Sequence, residues 1–202
     1  MSARYLIALA LLTGTAVLSA EPASAPPQRQ VDAARAMLAR LPVPKADREP
    51  ARAELRAEQL DAFAVAIATV SADRPNPRQY AAFLVALGGA ETNFDSRLVL
   101  GVCASWQCDH GRAKGAFQNW SVSFTHELWA VSDGNIPAQV AMADRTLRRS
   151  MTRCAPFAPF PAHVFRAYRG GAASSCSWPL RDEAARVATF NRLMGVKAGG
   201  AT

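Results

Sequence analysis

Residues 76–95 read NPRQYAAFLVALGGAETNFD, a capped apolar helix that runs out into a loop. Asn76 is a side-chain cap, and Pro77 is the proline favoured in a first helical turn, where its missing N–H would have had no partner. Tyr80, Phe83, Leu84 and Leu87 recur at helical spacing and give the segment an apolar face. Glu91 follows Leu84 and Leu87 on the same period, so it shares that face rather than the solvent side. Gly88 and Gly89 remove side chains just before it and let another element come close. Asn93 and Asp95 mark the exit into a loop.

The same period runs outward in both directions. Val31, Ala34, Leu38 and Leu41 form a stripe that Pro42 and Pro44 stop, and Leu60, Phe63, Ile67 and Val70 form the next. Beyond the central stretch, helices are expected at 123–130, 137–153, 161–168 and 180–194. In the second of these Val140, Ala143, Leu147 and Met151 are the apolar stripe. Arg145, Arg148, Arg149 and Arg153 gather toward its end, where the helix dipole favours cations. Strand signals are scarce; Leu98–Val102 is a candidate short extended piece, and no internal repeat occurs. The expected architecture is all-α: a main domain over 76–195, preceded by a helical extension over 31–75 and followed by a flexible tail at 196–202.

Composition narrows the class. The chain has 202 residues, a formal charge of +7, half of its residues hydrophobic and 19% charged, which excludes a mostly disordered chain. Arg4, the apolar run 5–12 and the small residues at Ala20 and Ala25 have the layout of a secretory signal peptide, with cleavage expected after either alanine. The run is too short, and too broken by Thr13-Gly14-Thr15, for a stable membrane span. Residues 21–30, rich in Pro, Ala and Ser, read as a linker. An exported, periplasmic or secreted chain makes nucleic acid a poor partner for the basic surplus, and an anionic envelope polymer a better one.

Export also decides how the four cysteines are read. An even set in an oxidising compartment points to disulfides. Three pairings exist, and the local pairs Cys103–Cys108 and Cys154–Cys176 are favoured. A zinc site using Cys103, Cys108 and His110 fits no common closed pattern, so no metal or cofactor is expected. His126 and His163 read as ordinary helix residues, and none of the three histidines has a triad-like neighbourhood.

Glu91 is the first candidate for chemistry. A carboxylate on an apolar face is costly to ionise, so the position suits a carboxylic acid that keeps its proton and donates it to a leaving oxygen. The plainer reading is a helix-end residue turned to solvent or paired with Arg97. Asp95, one turn on, is a candidate second carboxylate; its plainer role is a loop-start residue bonded to its own backbone. Trp106, between two cysteines, is the best candidate to stack on a sugar ring; Trp120 is next, and Trp129 suits a core.

The segment Ala86–Asp95, with its Glu91-Thr92-Asn93-Phe94-Asp95 core, resembles the E-S-x-F-D segment of the lysozyme-like superfamily of soluble lytic transglycosylases. Gly111–Gln118 resembles that family's G-A-x-G-L-M-Q segment, Asn135-Ile136 its N-I helix start, and Tyr168-Arg169-Gly170-Gly171 its Y-N-A-G or Y-N-G-G segment. The resemblance spans about residues 78–171 and does not reach the first 75. Thr92 stands for the usual Ser, Ala116-Phe117 for Leu-Met, and Arg169 for Asn.

The resemblance implies a lysozyme-like fold and cleavage of the β-1,4 bond between N-acetylmuramic acid and N-acetylglucosamine in peptidoglycan. By residue match Glu91 is the acid and then the base, acting on the sugar's own 6-hydroxyl in a lytic transglycosylase or on water in a lysozyme. Gln118 and Phe117 match cleft residues, Tyr168 one that positions the Glu, and Thr92 one that orients it or meets sugar. Two other readings stand beside it: a non-catalytic peptidoglycan-binding protein of the same fold, and a peptidoglycan amidase or peptidase using a Cys–His nucleophile, which needs a free thiol.

Overall fold

The computed structural model describes residues 25–102, 113–120, 134–169, 176 and 182–196. The expected signal peptide, the 123–130 helix and the 196–202 tail beyond Val196 lie outside these residues. The protein is all-α. Among the described residues no helix is long and apolar enough to cross a membrane.

Helix α1 spans Gln28–Leu38 and α2 spans Pro50–Ser71, with a 3-10 turn at Lys45–Arg48 between them. The expected linker therefore ends early. Pro27 precedes the first turn, and Gln28 donates from Nε2 to Asp32 at 2.9 Å across it. Val31, Ala34, Leu38 and Leu41 are buried as their spacing implies, and so are Phe63 and Ile67 of α2, while Leu60 and Val70 are partly buried.

Helix α3, Pro77–Glu91, is the central post. Asn76 caps it, Oδ1 accepting from the Gln79 N–H at 3.2 Å. Every residue from Tyr80 to Gly88 is buried, all round the helix rather than on a single face. An apolar helix can satisfy that pattern only by being enclosed, and α1, α2 and the last helix enclose this one. Phe83 stacks on Phe190 with ring centroids 4.3 Å apart and meets Phe165 edge-on.

After α3 comes a single helical turn, α4, Ser96–Val99, so the candidate extended piece at Leu98–Val102 is corrected. Asp95 caps that turn and makes it helical. A two-residue antiparallel ladder pairs β1, Ala113–Lys114, with β2, Asn119–Trp120. Helix α5, Ile136–Cys154, is capped by Asn135 through Ala138 N–H at 3.0 Å. It buries Val140, Ala143 and Leu147, with Met151 partly buried. Helices α6, Ala162–Arg169, and α7, Glu183–Met194, complete the set, and Gly195 closes α7 at φ 76°, a left-handed position suited to glycine. Cys154 and Cys176 form a disulfide, one of the two pairs favoured by spacing. Arg166 joins α6 to α7, its Nη2 donating to Glu183 at 3.0 Å.

The first two helices belong to the same hydrophobic core as the rest. Val31, Leu38, Phe63 and Ile67 lie in one cluster with Leu84, Phe117, Leu147 and Phe190.

Candidate functional site

Glu91 is the last residue of α3. Its side chain is one-fifth exposed and accepts from Arg186 Nη1 of α7 at 2.8 Å through Oε1. It is thus neither turned out to solvent nor surrounded only by apolar groups, and its cation is Arg186 rather than Arg97. Arg186 is 3% exposed and also donates to Asp182 Oδ2, from Nε at 2.9 Å and Nη2 at 2.6 Å. Burial alone pushes its guanidinium below the usual value, but the charges of Glu91 and Asp182 and their hydrogen bonds outweigh it and hold it above. A buried guanidinium forked between two carboxylates has little freedom to move, so it fixes where the Glu91 carboxyl sits.

Thr92 joins two of the sequence motifs. Its Oγ1 donates to the Ala116 carbonyl at 2.7 Å and accepts from the Phe94 N–H at 3.1 Å. The end of α3 and the 113–120 hairpin are thereby pinned together. The same hairpin is held from below by Gln139 of α5, whose Oε1 accepts from Ala116 N–H and whose Nε2 donates to the Val99 carbonyl, both at 2.8 Å.

Three residues beside Glu91 or in the hairpin have left-handed backbones without being glycine: Asn93 at φ 54°, Phe94 at 53° and Gln118 at 48°. Such a conformation costs a non-glycine residue about 1–2 kcal/mol and persists only where surroundings impose it. Here they do. Arg56 of α2, 5% exposed, donates to the carbonyls of both Asn93 (3.0 Å) and Phe94. Asp47, fully buried, lies 3.5 Å from Arg56 Nη1 and accepts from Ser96 N–H at 3.0 Å. Burial pulls the Arg56 guanidinium below its usual value, with Asp47 and Asp95 opposing. Phe94 also lies against Gly88, where an added Cβ would run into its ring, so Gly88 admits a core ring while Gly89 faces Leu41.

Phe117 is corrected from a cleft residue to a core residue. It is fully buried, edge-on to Phe94 at 5.8 Å and to Phe63 at 6.1 Å, and has no surface to offer a sugar. Asp95 takes its plainer role: it caps α4 through Arg97 N–H at 3.0 Å and holds the Arg97 guanidinium at 2.9 Å. Gln118, half-buried at the hairpin tip, donates to the Gly115 carbonyl at 3.2 Å. Tyr168 falls in the last turn of α6, and its side chain lies outside the described residues, as do Trp106, Cys103, Cys108 and His110. No group of three His, Cys, Asp or Glu side chains that would hold a metal occurs among the described residues.

Sequence reasoning missed Arg186, Gln139, Arg56 and Asp47. Arg186 and Asp182 stand four apart at the start of a helix, a local sign of pairing, but nothing local points to Glu91. Gln139 adjoins the apolar stripe of α5, a polar residue on a buried flank, which is the signal that would have found it. No protein-family model, curated protein or solved structure matches this chain.

Proposed function

We propose that the protein is an exported enzyme that cleaves peptidoglycan glycan strands at the β-1,4 bond after N-acetylmuramic acid, with Glu91 as its single catalytic carboxyl on a lysozyme-like scaffold. The observation that carries the reading is the Thr92–Ala116 hydrogen bond. It brings together, in space, two of the four sequence segments that resemble the transglycosylase family, with Glu91 at the junction. In this reading Glu91 protonates the glycosidic oxygen as the bond to the anomeric carbon breaks. It then takes a proton from the 6-hydroxyl of the same sugar, giving a 1,6-anhydro end, or from water, giving a reducing end. Arg186 engages Oε1, and Oε2 has no partner among the described residues, so Oε2 is the oxygen that must take up a proton from solvent before handing it to the glycosidic oxygen. With Asp95 committed to Arg97, single-Glu chemistry is favoured over a two-carboxylate mechanism.

A second reading, a peptidoglycan-binding protein without activity, is favoured by one observation: the Arg186 pair gives Glu91 a structural role that needs no substrate. Digestion of purified sacculi decides between them. Wild type is expected to release muropeptides and Glu91→Gln none. Equal release by both refutes the catalytic assignment, and sacculus binding without release by wild type selects the second reading. Mass spectrometry separates anhydro from reducing ends, and free stem peptides would reveal an amidase or peptidase instead.

A further inference from the structure

At the opposite end of α3 from Glu91, α1, α2 and the start of α3 line a half-open cavity of about 280 Å³. Fifteen residues at about 1.5 Å rise put it roughly 20 Å along the helix from the candidate acid, so it is a separate place. Its walls are largely methyl groups, from Ala33, Ala68 and Ala81. Its polar groups are few. Ser71, the last residue of α2, is 1% exposed, lines the cavity, and its hydroxyl has no hydrogen-bond partner among the described residues. The Gln30 side-chain oxygen is likewise buried and without a donor among them. A buried polar atom left unpaired costs about 1–3 kcal/mol, so each calls for a partner. Two arginines, Arg29 and Arg78, stand at the rim from different helices, and no lining residue is acidic.

The neighbouring groove shows the contrast. There Arg74 and Arg148 are both spent on Asp144, at 2.9 and 3.0 Å, and Tyr80 donates to the same carboxylate at 2.8 Å. Arg29 and Arg78 make no ion pair among the described residues.

We propose that this cavity binds the carboxylate end of a short peptide. The two arginines take the carboxylate, the alanine walls take a methyl side chain, and Gln30 accepts from a peptide N–H while Ser71 pairs with the adjoining carbonyl. Simple phosphate would satisfy the arginines but leave the methyl walls empty. Alanine-ended stem peptides of peptidoglycan have this chemistry; that choice of peptide rests on the proposed function, whereas the carboxylate and N–H requirements come from the cavity itself.

The test is titration of the full chain, followed by NMR or calorimetry, with N-acetyl-D-alanyl-D-alanine, its C-terminal amide and inorganic phosphate. Saturable binding of the acid is expected. The amide and the Arg29→Ala/Arg78→Ala variant, whose changes lie at the surface and spare the fold, should each weaken it at least about tenfold. Ser71→Ala, checked for native thermal unfolding, should weaken it as well. No saturable binding, equal affinity for the amide, or displacement of the peptide by equimolar phosphate overturns the proposal. The titration is repeated on Glu91→Gln, where binding should persist. No sacculus digestion by the wild type, with peptide binding retained, counts against the catalytic reading alone; digestion by the wild type without peptide binding counts against the cavity alone.

Discussion

Replacing Gly88 with alanine tests why α3 carries a glycine pair just before Glu91. The new methyl carbon would stand 2.4, 2.8 and 3.0 Å from three carbons of the Phe94 ring. Ordinary carbon contacts begin near 3.5 Å, so the ring must retreat by about 1 Å. It has nowhere to go: Phe63 lies 4.8 Å from it, centroid to centroid, Phe117 lies 5.8 Å away, and Arg56 holds the Phe94 carbonyl in a left-handed backbone. Overpacking of this kind costs about 1–3 kcal/mol, against about 1 kcal/mol gained from alanine's better helix propensity. Because the ring is enclosed on every side, the cost falls at the upper end of that range, about 2–3 kcal/mol, so the net expectation is a loss of about 1–2 kcal/mol, or a fall in Tm of about 2–8 °C. Gly89→Ala is the internal control. Its methyl would meet only the Leu41 side chain, nearest at 3.1 Å, whose end can rotate away, so stability should hold or rise slightly. Thermal unfolding followed by circular dichroism measures both. If Gly88→Ala is as stable as wild type, or if the two variants lose equal stability, the ring-against-glycine argument is wrong.

Two further outcomes follow from the same geometry. Burial pushes the Asp95 carboxyl up, but the Arg97 guanidinium and the N–H groups of Arg97 and Leu98 outweigh it and hold it below the usual carboxylate range. A depressed carboxyl adds stability above its unfolded value and loses it as the pH falls through its folded one. Asp95→Asn should therefore be destabilising at pH 7, and its difference from wild type in urea unfolding should shrink steadily below about pH 4; a pH-independent difference would contradict this. The Cys154–Cys176 bond, 22 residues apart in sequence, should contribute about 3 kcal/mol by restricting the unfolded chain, so the double serine variant should unfold at clearly lower urea.

The helices were legible because their signals are local. Asn76-Pro77 and Asn135-Ile136-Pro137 announce helix starts within a few residues, and the stripes of α1, α2 and α5 need only a period. The extended piece expected at Leu98–Val102 gives way to a helical turn for an equally local reason: Asp95 caps that turn through the Arg97 N–H. The site was legible only in part. Glu91 could be singled out from its helix, but its cation lies 95 positions away and arrives only when α7 packs on α3. Phe117 was misplaced because its motif says that it stands beside the hairpin glycine, not which way the turn points it. The left-handed backbones of Asn93 and Phe94 carry no glycine to betray them, since Arg56 and the packing around them supply what a flexible residue otherwise would.

The anchoring of that loop by α2 bears on where the chain can be cut. An excised fragment beginning at residue 76 would look complete on paper, with its capped helix and every recognisable motif. It would nonetheless lack the guanidinium that grips the carbonyls of Asn93 and Phe94, the buried aspartate behind Ser96, and the Phe63 ring beneath Phe94. The smallest piece that keeps the neighbourhood of Glu91 in shape therefore starts no later than the 3-10 turn at Lys45, and any expression boundary drawn from motif positions alone would be set too far downstream.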